Sequence, residues 1–180
     1  NYGEKEVTIE EIIHRFPFEA TYALSKAAKE LHGSTIGHDI PLPDGSVIRN
    51  KLIGVPISAT ESVQVPWGPF HLPDIEGGFE TQQAEENGMI VMKLVARVKR
   101  KYQEKVKKLA DRTREIAETE SIYRGKAVMV QFRDKKGELD IVPPSFMDLS
   151  GDHTVIFSEE VMREIKVNVL VPIKHADLAK

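Results

Sequence analysis

The chain has 180 residues, 41% apolar and 29% charged, with a net charge of −3 and no cysteine. This composition suits a folded globular protein rather than a disordered one. It excludes a disulfide frame, a thiolate metal site and a cysteine nucleophile. No apolar run approaches the ~20 residues of a membrane helix, and a cysteine-free chain is compatible with the cytoplasm, the expected location.

The chain starts Asn1-Tyr2-Gly3, without an initiator Met or a signal peptide. The first 33 residues read as a helical hairpin. Thr8-Ile-Glu-Glu11 has the form of a capping box, in which the Thr hydroxyl and the Glu carboxylate each satisfy an orphan backbone N–H. A second helix follows Pro17, with Ala20, Leu24, Ala27, Ala28 and Leu31 on one face, and ends before Gly33.

From about Ile40 to Ala84 short β runs such as Val47-Ile-Arg49 and Val63-Gln-Val65 alternate with Pro and Gly punctuation. Glu86-Asn87-Gly88 predicts a tight hairpin, because Asn-Gly accepts positive φ at both central positions of a type I′ turn. It joins Phe79–Ala84 to a long strand, Met89–Val98, with Ile90, Met92, Leu94, Ala96 and Val98 on one face and Lys93 and Arg97 on the other.

A long helix is expected over 99–120, with Tyr102, Val106, Leu109, Thr113 and Ile116 as a narrow packing stripe. Strands follow at Lys126–Phe132 and Leu139–Val142, the second closed by Pro143-Pro144, and short strands are expected at Ser145–Leu149 and Thr154–Phe157. A short C-terminal helix, Glu159–Ile165, is capped by Ser158. The order of elements makes the fold α+β with a mainly antiparallel sheet. The expected organisation is a helical segment over 1–39, an α+β domain over 40–168 and a linker over 169–180. Val169–Lys180 stops without a closing element, so both ends read as cuts in a longer polypeptide.

The chemistry tests are mostly negative. Gly125-Lys126 is followed by Ala127, and Glu120 stands where a phosphate-binding loop needs its first Gly. The six histidines (His14, His32, His38, His71, His153, His175) lack a ligand spacing, and the one local grouping, His32, His38 and Asp39, reads as a solvated loop. No GxSxG elbow occurs. The acid pairs Glu85-Glu86 and Glu159-Glu160 are explained by a hairpin turn and a helix start. The expectation is a non-enzymatic chain without metal or cofactor.

Two surfaces stand out as partner-binding candidates. Lys99, Arg100, Lys101, Lys105, Lys107 and Lys108 crowd the start of the long helix, whereas Asp111, Glu115, Glu118 and Glu120 crowd its end. This is backwards for the helix dipole. It reads as a solvated face with nearby acids, as a patch for an acidic partner or neighbouring subunit, or as phosphate contacts to nucleic acid. In Val65–Pro73, Trp67 and Phe70 sit in a proline-braced stretch that either folds over the sheet as core or grips a peptide.

Several segments, in order, resemble a known family. They are Arg15-Phe-Pro-Phe-Glu-Ala-Thr-Tyr-Ala-Leu24, Ala27–Gly33, Pro66-Trp-Gly-Pro-Phe-His-Leu-Pro73 and Glu76-Gly-Gly-Phe-Glu-Thr81. Glu120–Ala127, Ser145–Leu149 and Asn168-Val-Leu-Val-Pro-Ile-Lys-His175 continue the series. Together they are similar to the N-terminal region of a bacterial and phage family of AAA+ ATPases related to the cell-division-protease branch. In that family the Pro-Ile segment leads into the ATPase module, which this chain lacks. The resemblance implies a substrate- or adaptor-binding domain of a protein-remodelling homohexamer. Its partners would be a protein client or adaptor, its own ATPase module and neighbouring subunits, with ATP and Mg²⁺ expected only in that module and no membrane. A nucleic-acid-binding domain using the basic half of the helix is the alternative.

Overall fold

Residues 1–33, 40–48, 51–135 and 138–147 are described by a computed structural model. The fold is α+β, with two helices and antiparallel strand pairs. After a 3-10 turn at Tyr2–Glu4 the chain enters a strand, β1 (Glu6–Ile13), rather than the first helix of a hairpin. The alternation of Val7, Ile9, Glu11 and Ile13 on one face outweighs the capping-box signal. A helix over 6–13 would scatter those residues around its circumference.

Helix α1 (Pro17–His32) starts with proline in its first turn and ends at Gly33, whose φ of 62° closes the αL cap on the carbonyls of Ala28 and Lys29. Then come the small pair β2 (Ile40–Pro41) and β3 (Val47–Ile48), and the hairpin β4 (Leu52–Pro56) and β5 (Ser62–Pro66). β6 (Pro69–Leu72), β7 (Ile75–Glu86) and β8 (Met89–Lys99) follow. The β7–β8 turn is the expected one: Asn87 has φ 52° and Gly88 φ 77°. After a 3-10 turn at Arg100–Tyr102 comes α2 (Gln103–Thr119), and the last described strands are β9 (Val128–Lys135) and β10 (Glu138–Phe146).

The chain divides into two compact units, Asn1–Ile53 with Gln64–Ser121 and Gly54–Val63 with Ile122–Lys180. This differs from a helical segment over 1–39, because α1 belongs to the same core as the main sheet. That sheet has the order β1-β8-β7-β6, antiparallel throughout. One face carries Ile13, Met92, Leu94, Ala96, Val98, Phe79 and Phe70, and packs on Ala20, Leu24 and Ala27 of α1 and Val106, Leu109 and Ile116 of α2. The alanines of α1 let its backbone lie close to its neighbours, and the stripe on α2 is buried as its spacing predicts.

In the second unit β9 and β10 form an antiparallel pair. Pro143-Pro144 does not end the strand, which runs on to Phe146. The register shifts there: Val142 faces Gln131 and Ser145 faces Met129, so the two prolines oppose a single residue. A bulge of this kind leaves proline's missing N–H without a ladder partner to lose. The expected strand at Thr154–Phe157, the helix at Glu159–Ile165, the segment 169–180 and residues His153 and His175 lie outside the described residues.

Candidate functional site

The basic run is not one helical face. Lys99 is the last residue of β8, Arg100 and Lys101 belong to the 3-10 turn, and only Lys105, Lys107 and Lys108 lie on α2. The antiparallel pairing of β1 with β8 brings the N-terminus beside this turn, and acids distant in sequence meet the bases there. Lys99 Nζ lies 2.8 Å from Glu4 and 2.6 Å from Glu76. Lys101 Nζ donates to the same Glu4 carboxylate at 3.0 Å. Lys105 Nζ stands 3.7 Å from Asp74. The Arg100 guanidinium lies over the Tyr2 ring, 4.1 Å from its centroid, and also donates to the Tyr2 hydroxyl. Lys108 is exposed and has no carboxylate partner among the described residues. The charge order that looks unfavourable for one helix is thus compensated through space, as the first of the three readings expects.

The same contacts shift the titration of their partners. Hydrogen bonds from Lys99 and Lys101 hold Glu4 below the ordinary carboxylate range, and Lys99 does the same to Glu76. Hydrogen bonds to Glu4 and Glu76 raise Lys99, and one to Glu4 raises Lys101. A carboxylate lowered in the folded state contributes stability above its unfolded value, here 4.5, and loses it as pH falls through the folded value. A raised lysine contributes fully below 10.5 and loses that contribution as pH rises through its folded value. The network is therefore at full strength from roughly pH 5 to 10. Urea midpoints should decline below that window, and Glu4→Gln should flatten the acid side of that decline. An unchanged acid limb in Glu4→Gln would remove the network as its cause.

The aromatic candidates separate. Phe70 is fully buried in β6, its ring stacked on Phe79 with centroids 5.2 Å apart. This corrects its assignment as a partner-binding residue, because nothing outside the fold can reach it. Trp67 is half-buried between β5 and β6, packs on the core and lies 6.1 Å from the Phe18 ring. The stretch is built into the sheet rather than free: Gly68 N–H donates to Thr81 Oγ1 at 2.9 Å and Thr81 N–H to the Gly68 carbonyl at 3.1 Å.

His32, read from the sequence as part of a solvated loop with His38 and Asp39, is instead the last residue of α1 with a buried side chain, whereas His38 and Asp39 lie outside the described residues. The His32 Nδ1–H donates to both oxygens of Asp74, at 2.9 and 2.8 Å, with the side chain 4% exposed. Burial opposes ionisation of Asp74, but the hydrogen bond and charge of His32 outweigh it and the carboxyl is lowered. His71 Nδ1–H donates to the Gly77 carbonyl at 2.8 Å. Among the described residues no three His, Cys, Asp or Glu side chains converge on a possible metal position.

The surface that sequence reasoning missed is the outer edge of β1. Glu6, Thr8 and Glu10 form an exposed row there. The period-two alternation of residues 6–13 could have identified the strand, whereas its place at the edge follows only from the strand order of the sheet. No helix among the described residues is long and apolar enough to cross a membrane. Comparison with protein-family models, with curated proteins and with solved structures gives no match.

Proposed function

We infer that this chain is a non-catalytic, substrate- or adaptor-engaging domain of a cytoplasmic AAA+ ATPase that remodels or unfolds proteins. ATP and Mg²⁺ would act only in an ATPase module of the same assembly, a homohexameric ring. The support is that segments carrying the resemblance, far apart in sequence, are built against one another. The Thr21 hydroxyl, within Arg15–Leu24, donates to the carbonyl of Pro66, which opens Pro66–Pro73. His32, within Ala27–Gly33, holds Asp74 between that segment and Glu76–Thr81. These contacts tie α1 to the end of β5 and to the turn between β6 and β7, so the segments belong to one scaffold. The paired state of Lys99, Lys101 and Lys105 also favours a protein partner over a nucleic acid, since bases already held by carboxylates have fewer counterions to exchange for phosphates.

The test is to express the complete reading frame that encodes these residues and measure ATP turnover, assembly mass and unfolding of a tagged client. The expected result is an ATP-hydrolysing ring whose unfolding activity drops about tenfold or more when this domain is removed, with basal ATP turnover retained. A reading frame without an ATPase module, or client unfolding indifferent to the domain, would overturn the reading.

A further inference from the structure

The outer edge of β1 has the geometry of a strand-addition site. Arg100 N–H donates to the Lys5 carbonyl at 2.8 Å, so Lys5 and Arg100 form a hydrogen-bonded pair at the start of the β1–β8 ladder. Such pairs alternate along an antiparallel ladder. Even-numbered residues of β1 therefore direct their N–H and C=O groups away from β8. The Ile12 carbonyl is occupied, accepting from Arg114 Nη2 at 3.0 Å. From Glu6 to Glu10 the edge has no strand partner among the described residues, and Glu6, Thr8 and Glu10 are exposed. On the helix-facing side Val7 and Ile9 pack on the core yet are only partly buried, so a further strand would complete their cover.

Charge selects the occupant. On the face of the sheet away from α1 and α2, Glu76 of β7 pairs with Lys99 of β8, Glu6 of β1 stands opposite Lys99, Thr8 opposite Arg97, and Glu10 opposite the buried Val95, two positions from Lys93 and Arg97. Columns of acid, base and acid leave a basic column as the complement at the next position. Glu6 has no ion pair among the described residues, and Glu10 has only Lys93 at 3.9 Å. A second copy of the chain fits poorly: antiparallel self-pairing about Thr8 sets Glu6 opposite Glu10 twice, and like charges directly opposite are destabilising. Charged side chains are a usual guard against edge-to-edge association. Here they guard against self-pairing and leave a basic strand admissible.

We propose that the edge of β1 from Glu6 to Glu10 binds an extended segment of a protein partner that carries Lys or Arg at alternate positions, by adding it as a strand to the sheet. This rests on the client- or adaptor-binding reading and assigns it a surface. The lysines would lie beside Glu6 and Glu10, with apolar residues beside Val7 and Ile9.

The probe is a short fluorescent peptide of alternating lysine and valine, read by anisotropy and by backbone amide exchange. Expected are saturable binding, slowing of exchange at the Thr8 amide by about tenfold, and loss of both when alternate peptide nitrogens are methylated. A peptide of alternating glutamate and valine should bind about tenfold more weakly or worse. Thr8→Pro removes the outward donor without touching the β8 ladder, the setting in which an edge strand tolerates proline, and should abolish binding. Glu6→Gln with Glu10→Gln, which spares the backbone, should weaken it and reduce its salt dependence. That pair decides the matter if Thr8→Pro fails to fold. Equal binding of the methylated peptide, protection elsewhere than residues 6–10, or no binding would overturn the edge site. An edge site overturned while the ring still needs this domain to unfold its client would leave the functional reading standing. Peptide addition at the edge, with client unfolding indifferent to the domain, would sink that reading alone.

Discussion

Gly77→Ala should destabilise the protein by about 3 kcal/mol or more, seen as a lower urea midpoint and a lower Tm. Between β6 and β7 the register passes from Phe70 opposite Phe79 to Leu72 opposite Ile75, so the three residues Glu76, Gly77 and Gly78 face His71 alone. The extra length is absorbed at Gly77, whose φ is +133°, a conformation only glycine adopts readily. A Cβ there would stand 2.2 Å from the Arg97 carbonyl oxygen and 2.9 Å from Val98 Cγ1. Those atoms belong to β8, the central strand that joins β7 to β1, and cannot retreat without opening the ladder. The His71 hydrogen bond to the Gly77 carbonyl holds the bulge from the other side. Gly78→Ala is the internal control. Its added Cβ would meet only His71 Cε1 at 3.8 Å, and the lower entropy of the unfolded chain should leave stability within about 1 kcal/mol of the parent. Equal losses at the two positions would show that the bulge is not strained as described.

Much of this fold is legible where a local signal and the tertiary demand agree. Asn87-Gly88 calls for positive φ on both residues, and a hairpin between two long strands supplies the place for it. Pro17 and Gly33 bracket α1 for independent steric reasons, one at each end. β1 was harder because two signals conflict: Thr8 and Glu11 match a helix cap, whereas Val7, Ile9 and Ile13 alternate. The alternation wins through long-range burial, since β1 gains eight paired positions along β8 that a local helix could not reach. Pro143-Pro144 misled for a related reason. Proline ends a regular ladder, but a bulge leaves two positions that require no ladder donor.

The candidate site was less legible because charge compensation acts through space. Read along the chain, Lys99 to Lys108 lacks acids and opposes the helix dipole. Glu4, Asp74 and Glu76, which neutralise three of those lysines, come from the N-terminal turn and the β6–β7 region. Only the pairing of β1 with β8 and the bulge at Gly77 bring them there. The open edge was hidden for the converse reason. Edge status is a property of strand order, so no local pattern around Thr8 distinguishes an outer strand from an inner one.

Phe70→Ala should cost about 3–5 kcal/mol, a loss that a surface recognition residue would not produce. The ring is fully buried and stacked on Phe79, and its surroundings include α1 and α2 through the shared core. Truncation removes apolar burial and leaves a cavity that β6, tied at Gly68 to Thr81, cannot close by moving inward. Trp67→Ala gives the contrast. That side chain is half-buried, so its loss should cost less than half as much. Trp67 is also the only tryptophan, and its contact with Phe18 on α1 makes its emission report on docking of the helix to β5 and β6. Fluorescence should therefore follow the unfolding of Phe70→Ala, with calorimetry needed for Trp67→Ala. If Phe70→Ala unfolds at the parent midpoint while binding of a client falls, Phe70 returns to the interface and the packing of β6 described above is wrong. If stability falls by several kcal/mol, its place is the core, and of the aromatic pair only Trp67 remains available to a partner.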